Sequence, residues 1–129
     1  MRGDRHDPVK EELLSSPVAW FEIIGKDTNK LRTFYGEVFS WKLAPPVPEM
    51  GNYSVFDNEG RGIGGGIGEG PDRITVYIEV GDPQAYLDRV EKAGGKTLMP
   101  VTKVTDQVTI AMFADPEGHV VGLMKGDSA

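Results

Sequence analysis

Two turns that say the same thing, 58 positions apart, limit what this chain can fold into. Asp115-Pro-Glu-Gly118 spells a tight turn: Pro presets φ at the second position and Gly takes the positive φ that ends it. It lies between two apolar runs, residues 110–113 and 120–124, so the stretch predicts a hairpin. The device also stands earlier, as Asp57-Asn-Glu-Gly60. Gly64 follows the first turn where Gly122 follows the second. Such an echo points to internal duplication.

The elements between the turns repeat as well. Residues 18–24 are aromatic and β-branched and predict a strand. Asp27 is placed as an N-cap, and Leu31, Phe34, Tyr35, Val38 and Phe39 follow at helical spacing, a stripe expected to be core. A short strand from Trp41, a loop at Pro45-Pro-Val-Pro48, a strand at 53–56 and a glycine-rich strand at 62–67 complete the first half. Residues 68–72 read as a linker. In the second half, 74–80 is a strand, and Asp82-Pro83 starts a helix with Pro at its first position. Tyr86, Leu87, Val90 and Ala93 give that helix its stripe, and Gly94-Gly95 ends it. Strands at 96–99, 109–113 and 120–124 follow, with a loop containing Pro100 after the first. An offset of 55 carries Asp27 onto Asp82 and Leu43 onto Leu98, so each half reads β-α-β-β-β. The expected fold is α+β: a mobile tail over 1–16, then one domain over 17–126 with modules 17–68 and 73–126.

Composition narrows the partners. At 129 residues the chain can bury a real core as one domain. A net charge of −6 argues against nucleic acid or an anionic membrane, which both require dense positive charge. With no Cys, disulfides, thiolate metal sites and a Cys nucleophile are excluded. No apolar run approaches the roughly 20 residues that span a bilayer. The first residues lack the apolar segment of a secretory signal, so a cytoplasmic location is expected.

Trp20-Phe-Glu-Ile23, Asp27, Phe34-Tyr35, Val38-Phe39 and Trp41, followed by residues 77–82, Gly94-Gly95 and Asp115-Pro-Glu-Gly118, together resemble the vicinal oxygen chelate superfamily. That superfamily includes glyoxalase I, bleomycin-resistance proteins and extradiol dioxygenases. The resemblance runs from about Val18 to Met124 and implies two β-α-β-β-β modules whose mixed sheet curls into a half-barrel around a cleft, often completed by a dimer. In metal-dependent members one divalent ion is held by four side chains, from the first and last strand of each module. Counting seven residues back from each helix-start Asp implies Trp20 and Thr75; counting four past each turn Gly implies Gly64 and Gly122. Indole and glycine offer no side-chain donor, and a Thr hydroxyl is a poor one. No metal and no other cofactor are therefore expected.

Other residues carry the remaining chemistry. Strand alternation puts Trp20 and Glu22 on one face, and Thr75, Tyr77 and Glu79 on one face. Glu22 and Glu79 are the candidate acid or base groups; they equally suit a cationic ligand or pairing with Arg61 or Arg73. Trp20, Tyr53, Tyr77, Phe113 and Met124 would line an apolar bed for a flat ligand, or pack as core. The glycine-rich strand lets the backbone bend or brings a ligand or partner backbone close. His6 falls in the tail, and His119 has the opposite parity to Gly122, so its ring should leave the cleft or cap the turn. The expected function is metal-independent binding of a small organic ligand by Trp20, Glu22, Tyr53, Thr75, Tyr77, Glu79, Phe113 and Gly122, in a homodimer. The alternative is a lyase, isomerase or dioxygenase-type enzyme with relocated metal ligands or a glutamate base.

Overall fold

The structure, a computed structural model, describes residues 16–126. The expected tail, apart from Ser16, lies outside the described residues, and so does His6. The chain runs β1 (Val18–Gly25), α1 (Thr28–Phe39), β2 (Lys42–Leu43), a short 3-10 turn (Pro48–Met50), β3 (Ser54–Asp57) and β4 (Gly64–Glu69). It continues through β5 (Arg73–Val80), α2 (Pro83–Lys92), β6 (Lys96–Thr105), β7 (Val108–Ala114) and β8 (Val120–Lys125). The β-α-β-β-β order thus occurs twice, as the repeated turns require.

Both helices begin as their caps dictate. The Asp27 carboxylate accepts from the Lys30 N–H at 3.0 Å, and that of Asp82 from the Ala85 N–H at 3.3 Å. Each satisfies a donor that the first helical turn leaves without a partner. α1 ends at Ser40, in the left-handed region with φ 59°. α2 ends before Gly94, where φ is 100°.

The described residues divide into two compact units, Ala19–Val76 and residues 77–126 together with 16–18. The boundary falls inside β5. In the N-terminal unit the strand order is β2-β3-β4-β1, with β1 parallel to β4 and the other pairs antiparallel. In the C-terminal unit β5 runs parallel to β8, and β8-β7-β6 continue antiparallel. There Val80, Leu87, Ala111 and Leu123 form the buried cluster, with Ile78, Tyr86, Val101 and Phe113 packed on it.

The N-terminal unit packs around rings instead. Phe21 meets Trp41 and Phe56 at centroid distances of 5.7 and 6.0 Å, and Trp41 stacks on Phe56 at 4.2 Å and on Tyr35 at 5.0 Å. Two expectations need correcting. The α1 stripe is not all core: Phe34, Val38 and Phe39 are 53%, 55% and 57% exposed. The stripe is wider than the surface beneath it, which Leu31 and Tyr35 already cover. Pro100 does not break the chain into a loop but lies within β6. β6 is the edge strand of its unit, and its register shifts between Met99 and Thr102, so Pro100 sits where the ladder is already irregular. Among the described residues no helix is long and apolar enough to cross a membrane.

Candidate functional site

Register decides which side chains share a face. In the N-terminal unit Trp20 pairs with Gly64 and Glu22 with Gly66 along the parallel β1–β4 ladder. Val55 opposes Gly66 on β3, so Tyr53, two residues earlier, shares their face. Gly64, Gly66 and Gly68 form a bare stripe there, and two rings lie down on it. A Cβ added at Gly64 would stand 2.8 Å from the Trp20 ring; one at Gly66 would stand 2.3 Å from the Tyr53 ring. The Trp20 indole Nε1–H donates to the Tyr53 hydroxyl at 2.9 Å, joining the rings edge to edge. Both rings are half-buried. The glycines therefore admit the chain's own rings, not a partner backbone.

Glu22 stands beside this platform with its side chain 14% exposed. Its Oε1 lies 3.2 Å from Nη1 of Arg73, an ion-pair contact in which that nitrogen is not aligned to donate a hydrogen bond. Of the two arginines considered from sequence, Arg73 is the partner found. Thr75, two residues along β5 from Arg73, is 1% exposed, and its buried Oγ1 has no hydrogen-bond partner.

The C-terminal unit uses the same device. Tyr77 pairs with Gly122, and a Cβ on Gly122 would stand 2.2 Å from the Tyr77 ring. Counting from the helix caps puts Thr75 in the place of Trp20; strand pairing puts Tyr77 there. At 3% exposure Tyr77 is closed off, unlike Trp20. Glu79 opposes Met124 and is half-buried. Its backbone N–H donates to the Pro17 carbonyl at 2.8 Å.

Phe113 is a correction. Met112 opposes Gly122, so Phe113, opposite Val121, points to the other face and packs on the α2-side core. Met112, which the sequence reading passed over, holds the position meant for Phe113. The signal was available: Ala114 pairs with Val120 across the turn, and counting outward reaches Met112.

His119 caps its turn. Its Nδ1 lies 2.9 Å from Asp115 Oδ2, and its backbone N–H donates to Asp115 Oδ1 at 2.9 Å. Those contacts, the backbone one foremost, hold the Asp115 carboxyl below its ordinary value.

The residues present do not fit the divalent ion of metal-dependent superfamily members. Two of the four expected positions carry no side chain, and in each the space is occupied by an aromatic ring. Among the described residues, no three His, Asp or Glu side chains gather as a metal donor set.

A family model described as a glyoxalase-like domain matches residues 22–124. The protein CFP32 of Mycobacterium tuberculosis is 29% identical over 93% of this chain and 49% of its own. The anthracycline biosynthesis protein DauV of Streptomyces sp. strain C5 is 29% identical over 84% of this chain and 48% of its own. This chain thus spans about half the length of both. Among solved structures, methylmalonyl-CoA epimerase from Mycobacterium tuberculosis superposes with a TM-score of 0.64 at 13% identity, covering 85% of this chain and 87% of that one. A glyoxalase/bleomycin resistance protein/dioxygenase superfamily member from Vibrio splendidus 12B01 gives 0.62 at 14%, covering 85% and 98%. At such identities these two establish the fold alone.

Proposed function

Given that the chain belongs to the glyoxalase-like domain family, we propose that it is a metal-independent binding protein for a small planar organic ligand. The ligand stacks on the platform of Trp20 and Tyr53, with Glu22 beside it to receive a positively charged group. One observation carries the reading: in both units a ring lies on the glycine that aligns with a metal-ligand position. Two flat, half-buried rings joined by a hydrogen bond are a rigid stacking surface, which lowers the ordering cost of binding. DauV is named for anthracycline biosynthesis, and a planar polycyclic compound of that kind is what such a platform would take.

The first test is elemental analysis of the purified chain. Zn, Ni, Mn and Fe are expected well below one equivalent, and one equivalent of any of them would overturn the reading. The second uses Trp41→Phe, which leaves Trp20 as the only indole. Its fluorescence should quench saturably with a planar aromatic cation such as ethidium, and Trp20→Ala should weaken binding, followed by ethidium emission, about tenfold or more.

A second reading is an enzyme of the same fold with a glutamate base. It is supported by Glu22, partly exposed next to the same platform. Glu22→Gln and Glu79→Gln variants, screened on α-keto hemithioacetals and epimerisable thioesters, separate the two. Turnover by the parent chain that is lost in one variant would favour the enzyme. The reading also includes a homodimer, supported by the exposed Phe34, Val38 and Phe39.

A further inference from the structure

Arg73 stands at the junction of two features of the N-terminal unit. Its Nη1 lies 3.2 Å from Oε1 of Glu22, and that buried nitrogen donates no hydrogen bond. The two side chains are 29% and 14% exposed, so water reaches both. Arg73 also lines a wide, open groove of about 620 Å³ formed by the end of β1, the first turn of α1 and the start of β5.

Register puts Glu22 at the centre of the aromatic platform's border. Glu22 pairs with Gly66, and a Cβ on Gly66 would stand 2.6 Å from the Tyr53 hydroxyl, the atom that accepts from the Trp20 indole. Glu22 is thus the strand neighbour of the place where the two rings join. A positive charge carried on a ring stacked there would compete with the Arg73 guanidinium for one carboxylate, since holding both would crowd two like charges. The pair is open to such competition. Without an aligned hydrogen bond it lacks the directional part of its strength, and water screens what is left. A guanidinium that leaves Glu22 has room in the groove, which Asp27 and Asp72 line along with Lys26 and Lys30.

We propose that Arg73 is the internal counter-ion of Glu22 and a specificity-determining residue of the platform: a planar ligand gains the carboxylate only when its own positive charge displaces the guanidinium. This role rests on the platform reading and adds a selection step to it. Neutral rings stack on Trp20 and Tyr53 without disturbing the pair, whereas a cation has to win the carboxylate from Arg73. Between ligands the pair keeps a largely buried carboxylate neutralised. During binding it holds the affinity for cations below what Glu22 alone would give.

The test is calorimetric titration of the full chain with two ligands of one ring system: ethidium, a cation, and phenanthridine, uncharged at neutral pH. Arg73→Gln should bind ethidium about fivefold more tightly than the parent, the worth of a partly exposed ion pair, and should bind phenanthridine equally. In a Glu22→Gln background the gain should vanish, which separates release of this carboxylate from loss of a positive charge anywhere on the chain. Arg73→Lys, which keeps the charge, should stay near the parent. In the parent chain, where no variant has to fold, saturating ethidium should move the Arg73 Nε–H NMR signal more than saturating phenanthridine does. Any of four results overturns the proposal: no gain in Arg73→Gln, an equal gain for phenanthridine, a gain that survives Glu22→Gln, or an Arg73 signal indifferent to ethidium. Trp20-dependent ethidium binding by the parent that Arg73→Gln does not improve would overturn it and leave the platform reading standing. No binding of either ligand by the parent or any variant would remove both.

Discussion

A methyl group at residue 122 would land 2.2 Å from the Tyr77 ring, and Tyr77, at 3% exposure, has no open space to retreat into. Gly122→Ala should therefore destabilise the chain by about 1–3 kcal/mol, the usual range for overpacking, as read by urea denaturation. Adding Tyr77→Ala should give a double variant whose loss is smaller than the sum of the two singles. A Gly122→Ala chain as stable as the parent would refute the packing described. Asp115 supports a pH prediction. Its folded carboxyl titrates below its unfolded value, so its contribution to stability is complete above the unfolded pKa of about 3.9 and is lost as pH falls through the folded one. Asp115→Asn should melt below the parent at pH 6, and the gap should narrow on acidification past pH ~4. At this scale the sequence was readable where a residue acts on its neighbours: Asp27, Asp82 and His119 cap as their positions dictate. Phe113 was given the wrong face because a strand residue's role depends on the strand opposite, and one residue of parity reverses it, whereas Thr75 shares the face of Tyr77 and differs from it only in register.

The two helices carry similar stripes and use them differently. Leu87 on α2 is 2% exposed within the buried cluster, while Phe34 on α1 is 53% exposed. Leu87→Ala should cost about 2–5 kcal/mol as a cavity, and Phe34→Glu should stay within about 0.5 kcal/mol when both chains are compared as monomers at high dilution, both by chemical denaturation. A large loss for Phe34→Glu in the monomer would show that Phe34 packs within its own chain. Element order and both caps were legible because caps, stripes and turns are local signals. The aromatic cluster that replaces part of the α1 core was not. It depends on Trp41, just before β2, and Phe56, from β3, occupying space that periodicity assigns to the helix.

For the whole molecule, family and fold follow from the ordered set of signals across both halves, matched over residues 22–124. The proposed dimer is checked by sedimentation equilibrium, with about twice the 14.1 kDa chain mass expected and a monomer after Phe34→Glu/Val38→Lys. A monomeric parent chain would remove that part of the reading.

The rings seated on glycines also bear on how this chain can change. A carboxylate introduced at residue 64 alone would meet the Trp20 ring. Replacing Trp20 alone would leave a void over a residue that still offers no donor. The same holds for Tyr77 and Gly122. A route from this chain to a metal-binding one therefore has no neutral single step at either pair. Each pair has to change together.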